Sequence, residues 1–241
     1  MTAEKNEFIP ATVVIPAGAF LMGSEDGMDN EQPVHRVYLD AFRLGKFPVT
    51  NREYEIFLKA AATPPPPFWS ENRFADSAKP VVGVSWHEAA AYCKWLSAAS
   101  GSHFRLPTEA EWERAARGGA EGQRYPWGGE LPDENACPGI DTQSGGPPRV
   151  GLFQPNGFGL YDMCASVHEW CSDFYESDYY RVSPERNPPG APAGARKSSR
   201  GGSWRHHVRF SRCAARSSLD PGFHYADYGF RVAAELDGIA D

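Results

Sequence analysis

The chain has 241 residues, 24 of them Lys or Arg and 31 Asp or Glu, for a formal net charge of -7. This acidic balance, with no basic run longer than a few residues, argues against a nucleic-acid partner. No apolar stretch reaches the roughly 18 residues that span a bilayer, and the opening MTAEKNEFIPATVV lacks the apolar core of a signal peptide.

A chain of this length can bury a large core as one domain without help from disulfides. We expect an N-terminal extension over 1–12, one domain over 13–235 and a short tail over 236–241. With 21 Pro, 24 Gly and 13% aromatic residues, the domain reads as loop-rich and held by packed Trp, Tyr and Phe side chains. Short strands are predicted at Thr12 to Ile15, Phe20 to Met22, His35 to Leu39 and Phe42 to Lys46, where β-branched or alternating residues lie between turn residues. Three helices follow. Each opens with Ser or Thr three residues before Glu, the capping-box pattern that satisfies orphan backbone donors: Thr50 with Glu53, Ser85 with Glu88, and Thr108 with Glu111.

In the first helix Tyr54, Phe57, Leu58 and Ala61 recur at helical spacing, and the proline run from Pro64 to Pro67 ends it. In the second, Ala89, Tyr92, Cys93 and Leu96 form the apolar stripe, with Gly101 beyond its end. In the third, Trp112, Ala115 and Ala116 line one side, and Gly118-Gly119 supplies a left-handed stop. Two more strands are predicted at Ser199 to Ser203 and Tyr228 to Ala233. Little regular structure is expected from Gly128 to Pro155 or from Pro184 to Lys197, and long irregular segments of this kind are tolerated mainly where they serve function or are pinned by a ligand.

Six further segments carry a resemblance. IPAGAFLMGS (Ile15 to Ser24), FPVTNREYEIFL (Phe47 to Leu58), VVGVSWHEAAAYCKWL (Val81 to Leu96), RLPTEAEWERAARGG (Arg105 to Gly119), NGFGLYDMCASVHEW (Asn156 to Trp170) and RGGSW (Arg200 to Trp204) occur in this order. YPWG lies between the fourth and fifth, and the chain resembles the formylglycine-generating enzyme family, or sulfatase-modifying factors. The resemblance covers nearly everything from Val14 to Val232. It implies an α+β fold, a single loop-rich domain distantly like a C-type lectin. It also implies a substrate cleft around the Gly-Gly-Ser turn. The catalytic relatives carry two cysteines in GGSxxCxxxxC, which bind copper as thiolates and oxidise a substrate cysteine to formylglycine. Here the nine residues from Trp204 to Arg212 hold no sulfur, and imidazoles do not replace a soft thiolate pair for Cu(I). Copper is therefore not expected.

The resemblance further implies a structural calcium held by the side chains of Asp162 and Glu169 and the carbonyls of Ala165 and Val167. A hard cation wants several oxygens of this kind. Ala165 stands where the family usually has Gly, a poor replacement if the position needs positive φ. The alternative is that Glu169 is a salt-bridged carboxylate. A second, weaker calcium site would begin at Asn135 and Ala136, with Asp141 as a further ligand. Cys93 and Cys213 match halves of family disulfides whose partner positions here are Val232 and Ala116. Losing one half of each fits a reducing, cytoplasmic compartment and five free thiols.

Of seven histidines, His35, His87 and His103 read as structural and His168 as a variable position in the VHEW turn. His206, His207 and His224 fall at the active-site floor that the resemblance implies, and His206 and His207, with Ser203, are the catalytic candidates. Adjacent histidines diverge on a strand, so a mononuclear iron site there has no supporting spacing. The ligand groove is expected to be floored by Ser203 and Trp204 and walled by His206, His207, Arg209 and Tyr225. Arg212 and Arg216 are expected to pair with carboxylates. No GxSxG elbow, P-loop or dinucleotide fingerprint occurs. Two functions stay open: a module binding a peptide or small molecule without oxidation, or a metal-dependent oxidoreductase of the non-heme iron type using the His206/His207 region.

Overall fold

A computed structural model describes residues 9–129 and 145–236. Asn135, Ala136, Cys137 and Asp141 lie outside them. Strands β1 (Thr12–Ile15), β2 (Gly18–Met22), β3 (His35–Leu39) and β4 (Phe42–Gly45) precede helices α1 (Asn51–Ala61) and α2 (Trp86–Ser100). After these come β5 (Phe104–Arg105), helix α3 (Glu109–Ala116), β6 (His168–Phe174), β7 (Lys197–Arg200), β8 (Ser217–Leu219), β9 (Tyr228–Gly229) and β10 (Ala233–Glu235). One sheet runs β1-β4-β10-β5, a hairpin pairs β2 with β3, and a third sheet runs β8-β7-β6-β9. The fold is therefore a mixed single domain with long connections.

All three capping boxes form. Thr50, Ser85 and Thr108 each accept the amide of the Glu three residues on, whose carboxylate reaches back to the cap, and such a cap contributes about 1 kcal/mol. Helix α1 buries Tyr54, Phe57 and Leu58 but leaves Ala61 exposed, one turn past the packed face. It ends on Ala62, in a left-handed conformation at φ 50°. Helix α2 buries all four stripe residues and stops at Gly101. Between the two helices Tyr54 stacks on Tyr92 at 5.6 Å, and Phe230 meets both edge-on.

Helix α3 departs from its expected one-sided pattern: every residue in it is buried, charged ones included. Arginines from elsewhere in the chain cover it. Arg216 forks onto Glu109, Arg200 bonds Glu109 and Glu113, Arg117 bonds Glu113, and Arg105 forks onto Glu111. Buried charge survives only when paired in this way. The RCAARS arginines pair as expected, since Arg212 forks onto Glu31 at 2.6 and 2.8 Å.

Two strand expectations need correction. The strand placed at Ser199 to Ser203 lies instead at Lys197–Arg200, because Gly201 (φ 91°) and Gly202 (φ 65°) turn left-handed and end it. A Cβ on Gly202 would sit 2.1 Å from Ser211 Oγ, so only glycine fits there. The single strand placed at Tyr228 to Ala233 is two, because the chain leaves β6 after Gly229 and joins β4 and β5 at Ala233.

Candidate functional site

The Gly201-Gly202 turn fixes the centre of the site. Ala165 donates its amide to the Gly201 carbonyl and Trp204 donates to that of Ser166, so the turn is locked onto the 165–167 loop. Beside it, β6 and β9 pair in parallel with His168 opposite Tyr228, and the His168 amide donates to the Asp227 carbonyl at 2.8 Å. That pairing sets His168 next to Asp227, and the turn brings His206 to both.

The side chains then converge. His168 Nε2 faces His206 Nδ1 at 3.1 Å, Ser203 Oγ lies 3.1 Å from the same Nδ1, and Ser203 donates to Asp227 Oδ2 at 3.0 Å. Arg205 forks onto the Asp227 carboxylate at 2.8 and 2.9 Å. His168, Ser203 and Asp227 are buried, while 40% of the His206 side chain is exposed. Burial chiefly, with help from His206 and Arg205 and against Asp227, holds the His168 ring down at about 4. It is a neutral imidazole near neutral pH.

Of the expected groove residues, Ser203 and Trp204 are buried, and His207, Arg209 and Tyr225 are exposed. Trp204 packs with Phe74, Val82 and Val167. His207 accepts the Arg209 amide through Nδ1. Sequence reasoning sets His168 aside and passes over Asp227. No local spacing could have flagged them, since the parallel pairing of β6 and β9 joins residues far apart in the chain.

Rings continue outward from this centre in both directions. Phe223 contacts Tyr225, which contacts Tyr228, and Tyr228 stacks on His168 at 4.8 Å. On the other side His168 meets His206 and His206 meets Phe210, over which the Arg209 guanidinium lies at 4.7 Å. Phe223, Tyr225 and Phe210 are 51%, 42% and 37% exposed. The run is buried at its middle and open at both ends.

The residues expected to hold calcium do not fit it. Glu169 is fully buried and committed: Oε1 accepts from Arg231, and Oε2 accepts from Arg231 and Trp112. Asp162 accepts the Gly151 amide on Oδ2 and keeps Oδ1 buried without a partner. Burial, partly offset by that amide bond, pushes its carboxyl up to about 6. Ala165 does take positive φ, at 53°. Asp162 Oδ1 and the Ala165 and Val167 carbonyls make three oxygens, short of the six to eight that calcium takes, and Glu169 is the counter-ion of Arg231. Adding calcium to the chelator-stripped chain is therefore expected to leave the melting temperature unchanged. A rise that Asp162→Ala abolishes would restore calcium to this loop.

Among the described residues, no cysteine lies in the Gly201-Gly202 turn or in the interval from Ser203 to Arg212. Cys213 is fully buried, its amide bonded to the Arg124 carbonyl, and burial pushes its thiol up to about 12. Burial likewise raises Cys93 and Cys171. Buried, protonated thiols of this kind are inert.

The fold, the Gly-Gly-Ser turn and the loop that it locks define one class of protein, and the chain belongs to the sulfatase-modifying factor enzyme 1-like domain family, whose match spans residues 1–236. It is 34% identical to the formylglycine-generating enzyme of Streptomyces coelicolor, over 93% of this chain and 89% of that one. It is 36% identical to the serine/threonine-protein kinase pkn1 of Chlamydia pneumoniae over 98% of this chain, but spans only 40% of that relative's length. Among solved structures, PvdO from Pseudomonas aeruginosa superimposes with a TM-score of 0.85 at 29% identity, covering 96% of this chain and 97% of that one. Among the described residues, no helix is long and apolar enough to cross a membrane.

Proposed function

We propose that this domain recognises a ligand, a peptide or small molecule bearing an aromatic group and a carboxylate, on the face around His206, without oxidising cysteine to formylglycine. The observation that carries the reading is the run of rings from Phe223 to Phe210, exposed at both ends. Exposed aromatics beside a few convergent polar groups are the usual form of a recognition surface. Arg209 and His207 are exposed beside it, and a guanidinium fork suits a carboxylate. The sulfur-free interval after Ser203 supports the absence of the copper reaction. The face lies on loops held by the β6-β7-β9 framework, where binding function concentrates.

The reading is tested by mapping amide chemical-shift changes as aromatic carboxylates and short acidic peptides with an aromatic residue are titrated in. Shifts are expected to centre on Phe210, Phe223 and Tyr225, and Phe223→Ser with Tyr225→Ser should abolish them without lowering the melting temperature. Shifts centred instead on the separate cleft of about 220 Å³ lined by Leu21, Ser24, Arg124 and Arg212 would move the binding role there. No response anywhere would contradict the reading.

A further inference from the structure

We propose that His168, His206 and Asp227 form a binding site for a divalent first-row transition-metal ion. The three offer donor atoms within 4.8 Å of one another, from three separate parts of the chain. Side chains converge like this at a buried point only where something offsets the cost of burying them.

Hydrogen accounting points to a cation. Three close contacts meet here: Ser203 Oγ with Asp227 Oδ2, Ser203 Oγ with His206 Nδ1, and His206 Nδ1 with His168 Nε2. A serine hydroxyl carries one hydrogen and each ring nitrogen carries one or none. If His206 Nδ1 is protonated, its hydrogen must serve both Ser203 and His168. If it is not, His168 Nε2 can donate to it, but the Ser203 hydrogen then reaches either Asp227 or His206. At most two hydrogens can be placed on the three contacts without setting the His206 and His168 N–H groups against each other. In addition, His168 Nδ1 is buried with no partner, so the ring finds little hydrogen-bond support from the protein. A metal ion among the lone pairs removes the deficit.

The geometry suits such an ion. With metal–nitrogen bonds of about 2.1 Å, two donors 3.1 Å apart subtend about 95° at the metal, the angle of adjacent ligands on one octahedral face. Ser203 Oγ, within 3.1 Å of His206 Nδ1 and 3.0 Å of Asp227 Oδ2, stands beside the same point. Arg205 forks onto both Asp227 oxygens, but its side chain is 43% exposed and can turn into solvent to free a lone pair for the ion, unlike the fully buried Arg231 on Glu169. Two imidazoles and one carboxylate, with no thiolate, select against Cu(I) and favour iron(II), zinc or their neighbours. The partly exposed His206 leaves the remaining positions to water, the arrangement of an open rather than a closed structural site. The site takes the ring nitrogens of His168 and His206, at the buried middle of the ring run, so it stands whether or not the exposed ends at Phe223, Tyr225 and Phe210 bind a carboxylate.

The test uses the full chain without a histidine tag, stripped with a chelator and titrated with cobalt(II) under visible absorption, then with zinc in competition. One equivalent of cobalt is expected to bind with a d–d spectrum and to be displaced by one equivalent of zinc. His206→Ala, whose ring is half in solvent, and Asp227→Asn should each weaken zinc binding by at least about tenfold. His103→Ala, at a distant exposed histidine, should bind as the parent does. Circular dichroism on the variants separates lost ligands from lost fold, and His206→Ala alone decides if Asp227→Asn unfolds. Failure of the folded parent chain to bind a stoichiometric ion, or equal affinity in folded His206→Ala, would overturn the site.

Discussion

Glu169→Gln is expected to destabilise the domain by about 3–5 kcal/mol, the cost of leaving a buried charge without its counter-ion. Arg231 has no exposed surface, and its guanidinium makes four hydrogen bonds, two to Glu169 and one each to the Gly45 and Tyr161 carbonyls. Gln keeps the size of the side chain and can still accept from Trp112, but it carries no charge to offset Arg231. The pair ties β6 to the segment before β10, so its loss loosens two sheets at once. Replacing both partners, Glu169→Leu with Arg231→Met, should recover much of the loss, since apolar pairs often match buried ion pairs in stability. Denaturant melts of the two singles and the double give the coupling. A double variant no more stable than Glu169→Gln would mean that the pair is retained for its backbone hydrogen bonds, and near-normal stability of Glu169→Gln would refute the assignment of Glu169 as a counter-ion.

Raising pH from 5 to 8 should lower the stability of the parent protein through Asp173, and Asp173→Asn should remove that part of the slope. Burial first, then the neighbouring Glu109, pushes the Asp173 carboxyl up to about 8 from its ordinary 3.8. Glu109 itself stays ionised, because Arg216 and Arg200 outweigh the burial that opposes them. A carboxyl whose folded value is raised keeps its proton in the folded state after the unfolded chain has released it. Its contribution is therefore fully present below about pH 4, declines as pH rises, and is gone above the folded value. The opposite slope belongs to Glu113, held low by Arg200 and Arg117 against burial, and its loss is confined to acid. Melting temperatures of parent and Asp173→Asn across pH 5 to 9 give the comparison. Parallel curves would show that Asp173 is ionised throughout.

The local part of this architecture was legible before any coordinates. Three capping boxes locate the starts of three helices to the residue, because a cap is decided by four consecutive positions. The Gly201-Gly202 turn is legible as a turn, although the expected strand before it starts two residues and ends three residues too late. Helix α3 was misjudged, since its Glu and Arg residues look solvent-facing until Arg200 and Arg216 are seen to arrive from β7 and the segment after Cys213. The candidate site is legible only in part, for the same reason. His206 and Ser203 were singled out by their place after the Gly-Gly turn, whereas His168 and Asp227 meet only through the parallel pairing of β6 with β9, which no spacing in the chain encodes. The carboxylates of the 162–169 loop read as calcium ligands by resemblance, and Arg231, sixty-two positions beyond Glu169, is what claims one of them.

The central claim is that the chain keeps the family scaffold while lacking its oxidising thiolates. The direct measurement is incubation with copper, oxygen, a thiol reductant and a cysteine-containing sulfatase-type peptide, with the Streptomyces coelicolor relative as a positive control, followed by mass spectrometry of the peptide. The account predicts an unchanged peptide mass in the presence of this protein and conversion by the control. Formation of the aldehyde product over many turnovers by this chain would contradict it.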